Sequence, residues 1–124
     1  MSLCLAAGAL SATLAVNSFT LAWTHSIEKV RWQEDWRIEG RQLAIVEARI
    51  QGFGAGMEAP EGAVLRDGYF HYHPAVAPMD RLTLVHSPYA QGYDLCTDGT
   101  CRPLAEFLPG IDEYATIVLS VCQR

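Results

Sequence analysis

Beyond residue 18 the chain alternates apolar and polar side chains or runs in short β-rich pieces, and no stretch there carries a sustained helical stripe. A period of two puts successive side chains on opposite faces of a strand. The pieces fall at 19–26, 34–39, 42–50, 68–73, 81–87, 92–97, 100–104 and 115–122. Turn chemistry separates them: Glu39-Gly40, GFGAGMEAPEG, Asp67-Gly68, HPAVAP, Asp98-Gly99 and LPG. Short strands joined by tight turns predict an all-β fold, an antiparallel sandwich or a partly open barrel. With 124 residues it is a single domain, large enough to build its own core.

A weak internal repeat bears on the topology. TLAWTHS at 20–26 recurs as LTLVHS at 82–87, and each copy leads to an Asp-apolar-x-x-acid-Gly turn, at 35–40 and 94–99. Read as a true repeat, it predicts two related halves with His25 and His86 at equivalent strand ends. The alternative is chance similarity among β-rich segments.

The first 16 residues, MSLCLAAGALSATLAV, lack charge and proline. The run is shorter than the roughly 20 residues a membrane span needs, and it has the length of a secretory h-region. Thr13-Leu14-Ala15 suits cleavage after Ala15, which divides the chain into a signal or anchor at 1–15 and an all-β domain at 16–124. The alternative is a buried N-terminal helix. Membrane contact is expected only through this segment. No Lys or Arg precedes the run, so either the α-amino group supplies the positive charge or translation starts upstream.

The cysteines agree with export. In DLCTDGTCRPL a two-residue Asp98-Gly99 turn would pair Thr97 with Thr100 and set Cys96 opposite Cys101. A cross-strand disulfide fits there. Half of a zinc site is the alternative, but no second cysteine pair completes it, because Cys122 stands alone. An oxidising, periplasmic or otherwise exported setting follows from the disulfide.

Several polar residues fall in the apolar register. Stepping by twos from Phe19 reaches His25, and stepping from Trp32 reaches Glu34. Glu47 shares parity with Leu43 and Ile45. His25, Glu34 and Glu47 therefore predict a buried, hydrogen-bonded polar cluster, structural or ligand-binding, because an unpaired buried carboxylate is costly. Ser26 points to the opposite face from His25 and makes a poor nucleophile for it. His71 and His73 share a face in YFHYHP and are weak metal-ligand candidates with no third ligand fixed by spacing. GFGAGME lacks the following helix that a phosphate loop requires. Tyr89 and Tyr93 are expected as exposed loop contacts, and the three tryptophans as core or sandwich edge. With a formal charge of −5 and no basic cluster, nucleic acid is excluded as a partner. No cofactor is implied.

The stretch FTLAWTHSIEKVRWQEDWRIEGRQLAIVEARIQGFGAGME, a later DGYF and LVHSPYAQGYDLCTDGTCRPL together resemble the DUF1850 family of small exported bacterial proteins. The resemblance covers residues 19–122 and is most specific at Thr24-His25-Ser26-x-Glu28-Lys29, Glu34, Glu47 and Gly52-x-Gly54-x-Gly56. Members are often encoded beside TAXI-type tripartite (TRAP) transporters of organic acids. The resemblance implies a periplasmic accessory that meets a TRAP permease or its solute receptor, and it carries no catalytic residues. The competing expectation is a small hydrolase or metal-dependent enzyme using His25, Glu34 and Glu47.

Overall fold

The computed structural model describes residues 1–25, 29–52, 59–89 and 92–123. The strands are β1 (Ser2–Ala7), β2 (Leu10–Leu14), β3 (Ser18–Thr24), β4 (Arg31–Glu39), β5 (Gln42–Gln51), β6 (Val64–Arg66), β7 (Tyr69–Tyr72), β8 (Arg81–His86), β9 (Asp94–Thr97), β10 (Thr100–Pro103) and β11 (Ala115–Cys122). They form two antiparallel sheets, one of four strands in the order β2-β1-β11-β8 and one of seven in the order β10-β9-β3-β4-β5-β7-β6. The fold is therefore all-β and an open sandwich, not a closed barrel. Among the described residues the one helical piece is a 3₁₀ turn at Leu104–Phe107.

The core lies between the sheets. Leu3, Leu5, Ile117 and Leu119 come from the smaller sheet, and Phe19, Leu21, Trp36, Leu43 and Leu95 from the larger one. Leu104 and Leu108, around the 3₁₀ turn, join the same cluster. The pairing Thr97–Thr100 and Cys96–Cys101 is as expected, and both residues of the intervening turn have positive φ, Asp98 at 51° and Gly99 at 82°. That is the type I′ geometry favoured in two-residue hairpins. Cys96 and Cys101 are bonded, with Cα atoms 4.0 Å apart.

In chain topology and disulfide pairing the sequence reading and the structure differ in three places. The apolar run at the N-terminus is neither a helix nor a segment apart from the sandwich. It is the β1–β2 hairpin, and Leu3 and Leu5 are fully buried against β11. Its alternation, Leu3-x-Leu5-x-Ala7, is a strand pattern that overall hydropathy conceals. Cys122 does not stand alone, because it is bonded to Cys4 across the β1–β11 pair. The repeat does not appear in the topology: β3 pairs directly with β4, whereas β8 pairs with β11 and β9 crosses to pair with β3.

Candidate functional site

Glu34 and Asp35 are neighbours on β4 and so point to opposite faces of the larger sheet. Two different polar environments follow.

Asp35 faces outward. Its pairing partners are Thr20 on β3 and Glu47 on β5. Both nitrogens of the Arg49 guanidinium end donate to it at 2.7 Å, and Thr20 Oγ1 donates to Oδ1 at 2.7 Å. Arg49 also donates to Glu47 at 2.7 Å and to Gln33 at 2.8 Å. All three guanidinium nitrogens thus donate, with Asp35 held in the bidentate geometry that makes Arg–carboxylate pairs strong. It holds the Asp35 carboxyl below the usual aspartate range, against the opposing effect of burial, and Thr20 adds to the lowering. The two carboxylates in turn raise the pKa of Arg49.

The strip continues to β7. His71 Nε2 lies 3.3 Å from the Arg66 carbonyl and donates to it. Its Nδ1 has Arg66 Nη2 at 3.1 Å and Glu47 Oε1 at 3.4 Å. That nitrogen accepts from Arg66 when the ring is neutral and donates to Glu47 when it is charged. Beside the strip, Arg31 pairs with Asp94 at 2.6 Å.

A β-bulge explains why Glu47 is on this side. Asp35 pairs with Glu47 but Trp36 pairs with Ile45, so Val46 is the extra residue. Leu43 and Ile45 face the core before it, and Ala48 and Ile50 do so after it. Plain alternation places Glu47 with Leu43 and Ile45, and the extra residue reverses that assignment. The carbonyl of Val46 accepts a hydrogen bond from His73 Nδ1 at 2.8 Å. His71 and His73 therefore serve different partners, and among the described residues no group of three or more His, Cys, Asp or Glu side chains could hold a metal ion.

A shallow trough of about 510 Å³ runs along the same outer face. Thr20 and Asp35 form its floor, with Val46 on one side and the Cys96–Cys101 disulfide on the other. Arg37 and Asp98 add opposite charges to its lining.

Glu34 faces inward. Its Oε1 accepts a hydrogen bond from Trp36 Nε1 at 3.1 Å. Burial pushes its carboxyl above the usual glutamate range, and the Trp36 bond only partly opposes this. The Tyr72 and Tyr93 hydroxyls are raised by their own burial and by the Glu34 charge.

Of the residues singled out from sequence, Glu34 is on the inner face and Glu47 on the outer one, so the two do not share a cluster. His25 lies just past β3, where its N–H donates to the Val30 carbonyl at 2.9 Å. The stacked Trp23–Trp32 pair occupies the ladder position between it and the Leu21–Glu34 pair. Ser26, Glu28, Gly54 and Gly56 lie outside the described residues. Sequence reading missed Thr20, Asp35 and Arg49. The alternation of Gln33, Asp35 and Arg37 on β4 marks an outward polar face, but joining it to Arg49 requires the bulge.

A family model described as a domain of unknown function matches residues 19–104, more than half of the chain. The chain belongs to the DUF1850 family. No curated protein and no solved structure matches it. The DUF1850 match spans the seven strands of the larger sheet together with β8, and leaves β1, β2 and β11 outside. Both polar faces around Glu34 and Asp35 lie within it.

Proposed function

We propose that this DUF1850 protein is a periplasmic binding module, an accessory of a TAXI-type TRAP organic-acid transport system that docks on the permease or the solute receptor. The observation that carries the binding-module reading is the outer face of the larger sheet. There all three nitrogens of the Arg49 guanidinium are tied to Asp35, Glu47 and Gln33 beside an open trough. A side-chain network committed to internal bonds presents a rigid, patterned surface and leaves no free base aimed at empty space. Two disulfides fit an oxidising compartment. No helix among the described residues is long and apolar enough to cross a membrane. The transport association itself follows from the family resemblance.

The hydrolase reading uses His25 with Glu34 and Glu47, and the Val46 bulge puts the two glutamates on opposite sides of the sheet, which favours the binding module. The test is reconstitution: purified permease and solute receptor are each titrated with the full chain in its oxidised form. Saturable binding to one of them, weakened by Asp98→Arg in the trough, is the expected result. Absence of binding to both removes the transport role.

A further inference from the structure

The inner face of the larger sheet carries two adjacent rungs of very different character. One runs Leu95–Leu21–Glu34–Ala48–Tyr72 across β9, β3, β4, β5 and β7. The next contains Trp23, Trp32, Ile50 and Phe70. Tyr93 lies against Trp23, with ring centroids 5.5 Å apart and planes tilted by 57°. Trp23 and Trp32 stack at 6.0 Å. A single carboxylate is thus set among aromatic rings, and among the described residues it is the only acidic side chain on this face of β3, β4, β5 and β7.

Two polar atoms in this region find no hydrogen-bond partner among the described residues. Among the described residues the Trp36 bond to Oε1 is the hydrogen bond Glu34 makes, and Oε2 accepts none. Trp32 Nε1 is buried and has no acceptor. A buried N–H without a partner forfeits its hydration with no return, and in native proteins such a group calls for a functional explanation. Between Glu34 and Tyr72 the ladder places Ala48, whose side chain is a single methyl. Trp23, Trp32, Glu34, Tyr72 and Tyr93 are all partly open to solvent. Nearby guanidinium groups do not serve this face: Arg49 and Arg31 lie on the other side of the sheet, paired to Asp35 and Asp94.

We propose that this inner-face cluster binds a small organic ammonium ion, with Glu34 as the counter-charge, the rings of Trp23, Trp32, Tyr72 and Tyr93 as the walls, and Trp32 Nε1 donating to an acceptor on the ligand. Aromatic faces attract cations through their quadrupole, and recognition of ammonium groups by ring cages uses this attraction. The proposal rests on the binding-module reading but not on the transport association. Its failure leaves the reconstitution result unaffected.

The test uses the full oxidised chain and its tryptophan fluorescence, backed by calorimetry. Choline, tetramethylammonium, the neutral choline isostere 3,3-dimethyl-1-butanol and acetate are titrated separately. Choline is expected to saturate, with the neutral isostere about tenfold weaker or more. Glu34→Gln, which keeps an acceptor for Trp36, should weaken choline by about the same factor. Trp32→Phe should weaken choline, which has a hydroxyl acceptor, more than it weakens tetramethylammonium, which has none. Arg37→Gln on the outer face should change neither. The proposal is overturned if choline gives no saturable response, if the neutral isostere binds as tightly, or if acetate is the probe that saturates. The comparison of probes on the unaltered protein decides the matter even if a variant does not fold.

Discussion

Glu34 and Asp35 share a peptide bond and titrate in opposite directions. Burial raises the Glu34 pKa, whereas Arg49 and Thr20 lower that of Asp35. A carboxyl raised by folding binds more protons folded than unfolded between the two pKa values, so its contribution falls as pH rises through the folded value. Relative to Glu34→Gln, the protein should lose stability as pH rises from the ordinary glutamate value through the raised one. Asp35 behaves in reverse. Its contribution is present above the ordinary aspartate value and disappears as pH falls through the lowered folded value. Urea melts of Glu34→Gln and Asp35→Asn between about pH 3 and pH 7 check both slopes, and parallel curves would remove the assignment of faces. Arg49 is the more critical residue of the outer strip. Arg49→Met leaves two partly buried carboxylates facing each other, and the expected cost is about 2–4 kcal/mol in the same melts.

At the level of elements, the β5 bulge decides which side chains meet. If β5 kept Val46 but ran without the bulge, the residues after it would swap faces, driving Glu47 and Arg49 into the core and Ala48 and Ile50 out. Deleting Val46 removes the bulge yet keeps Glu47, Ala48, Arg49 and Ile50 on their present faces, so the cooperative far-UV circular dichroism transition should survive, and its loss would show that the bulge itself is required. Removing the hydrogen bond that closes the bulge is also mild: His73→Ala should cost about 1 kcal/mol, because the freed carbonyl can reach water. The same element logic separates the tyrosines expected in loops. Tyr89 is 84% exposed and meets Tyr114, whereas Tyr93 precedes β9 and folds onto Trp23. Short strands at two sheet edges, the three residues of β6 and the Pro-terminated β10, limit edge-to-edge pairing.

For the whole molecule, the two disulfides carry unequal weight. Cys96–Cys101 spans 5 positions and closes a hairpin that its turn already specifies, whereas Cys4–Cys122 spans 118 and ties the first strand to the last. Loop entropy predicts about 4–5 kcal/mol for the long loop and about 2 for the short one. Replacing Cys4 and Cys122 by serine should accordingly lower stability more than the same change at Cys96 and Cys101, in parallel thermal melts. Removal of residues 1–15 is harsher still. It deletes Leu3 and Leu5, each worth roughly 1.5–3 kcal/mol of burial, and uncovers Ile117 and Leu119. Against a typical domain stability of about 5–15 kcal/mol, the expected product is aggregated or unfolded. A folded monomer starting at Val16, seen by size exclusion and circular dichroism, would show that β1 and β2 are dispensable.

Sequence alone determined what depends on neighbours along the chain. The period of two specified strands, the Asp-Gly turns specified hairpins, and the Asp98-Gly99 hairpin specified its own disulfide, because each is settled within a few residues. Tertiary structure decided what depends on register between distant strands. One extra residue in β5 moved Glu47 to the face of Asp35, and the closure of β1 on β11 joined Cys4 to Cys122. The unused groups around Glu34 likewise became visible only after Trp23, Trp32, Tyr72 and Tyr93 arrived from four parts of the chain. Alternation reports which residues share a face within a strand, but strand pairing determines what lies opposite them.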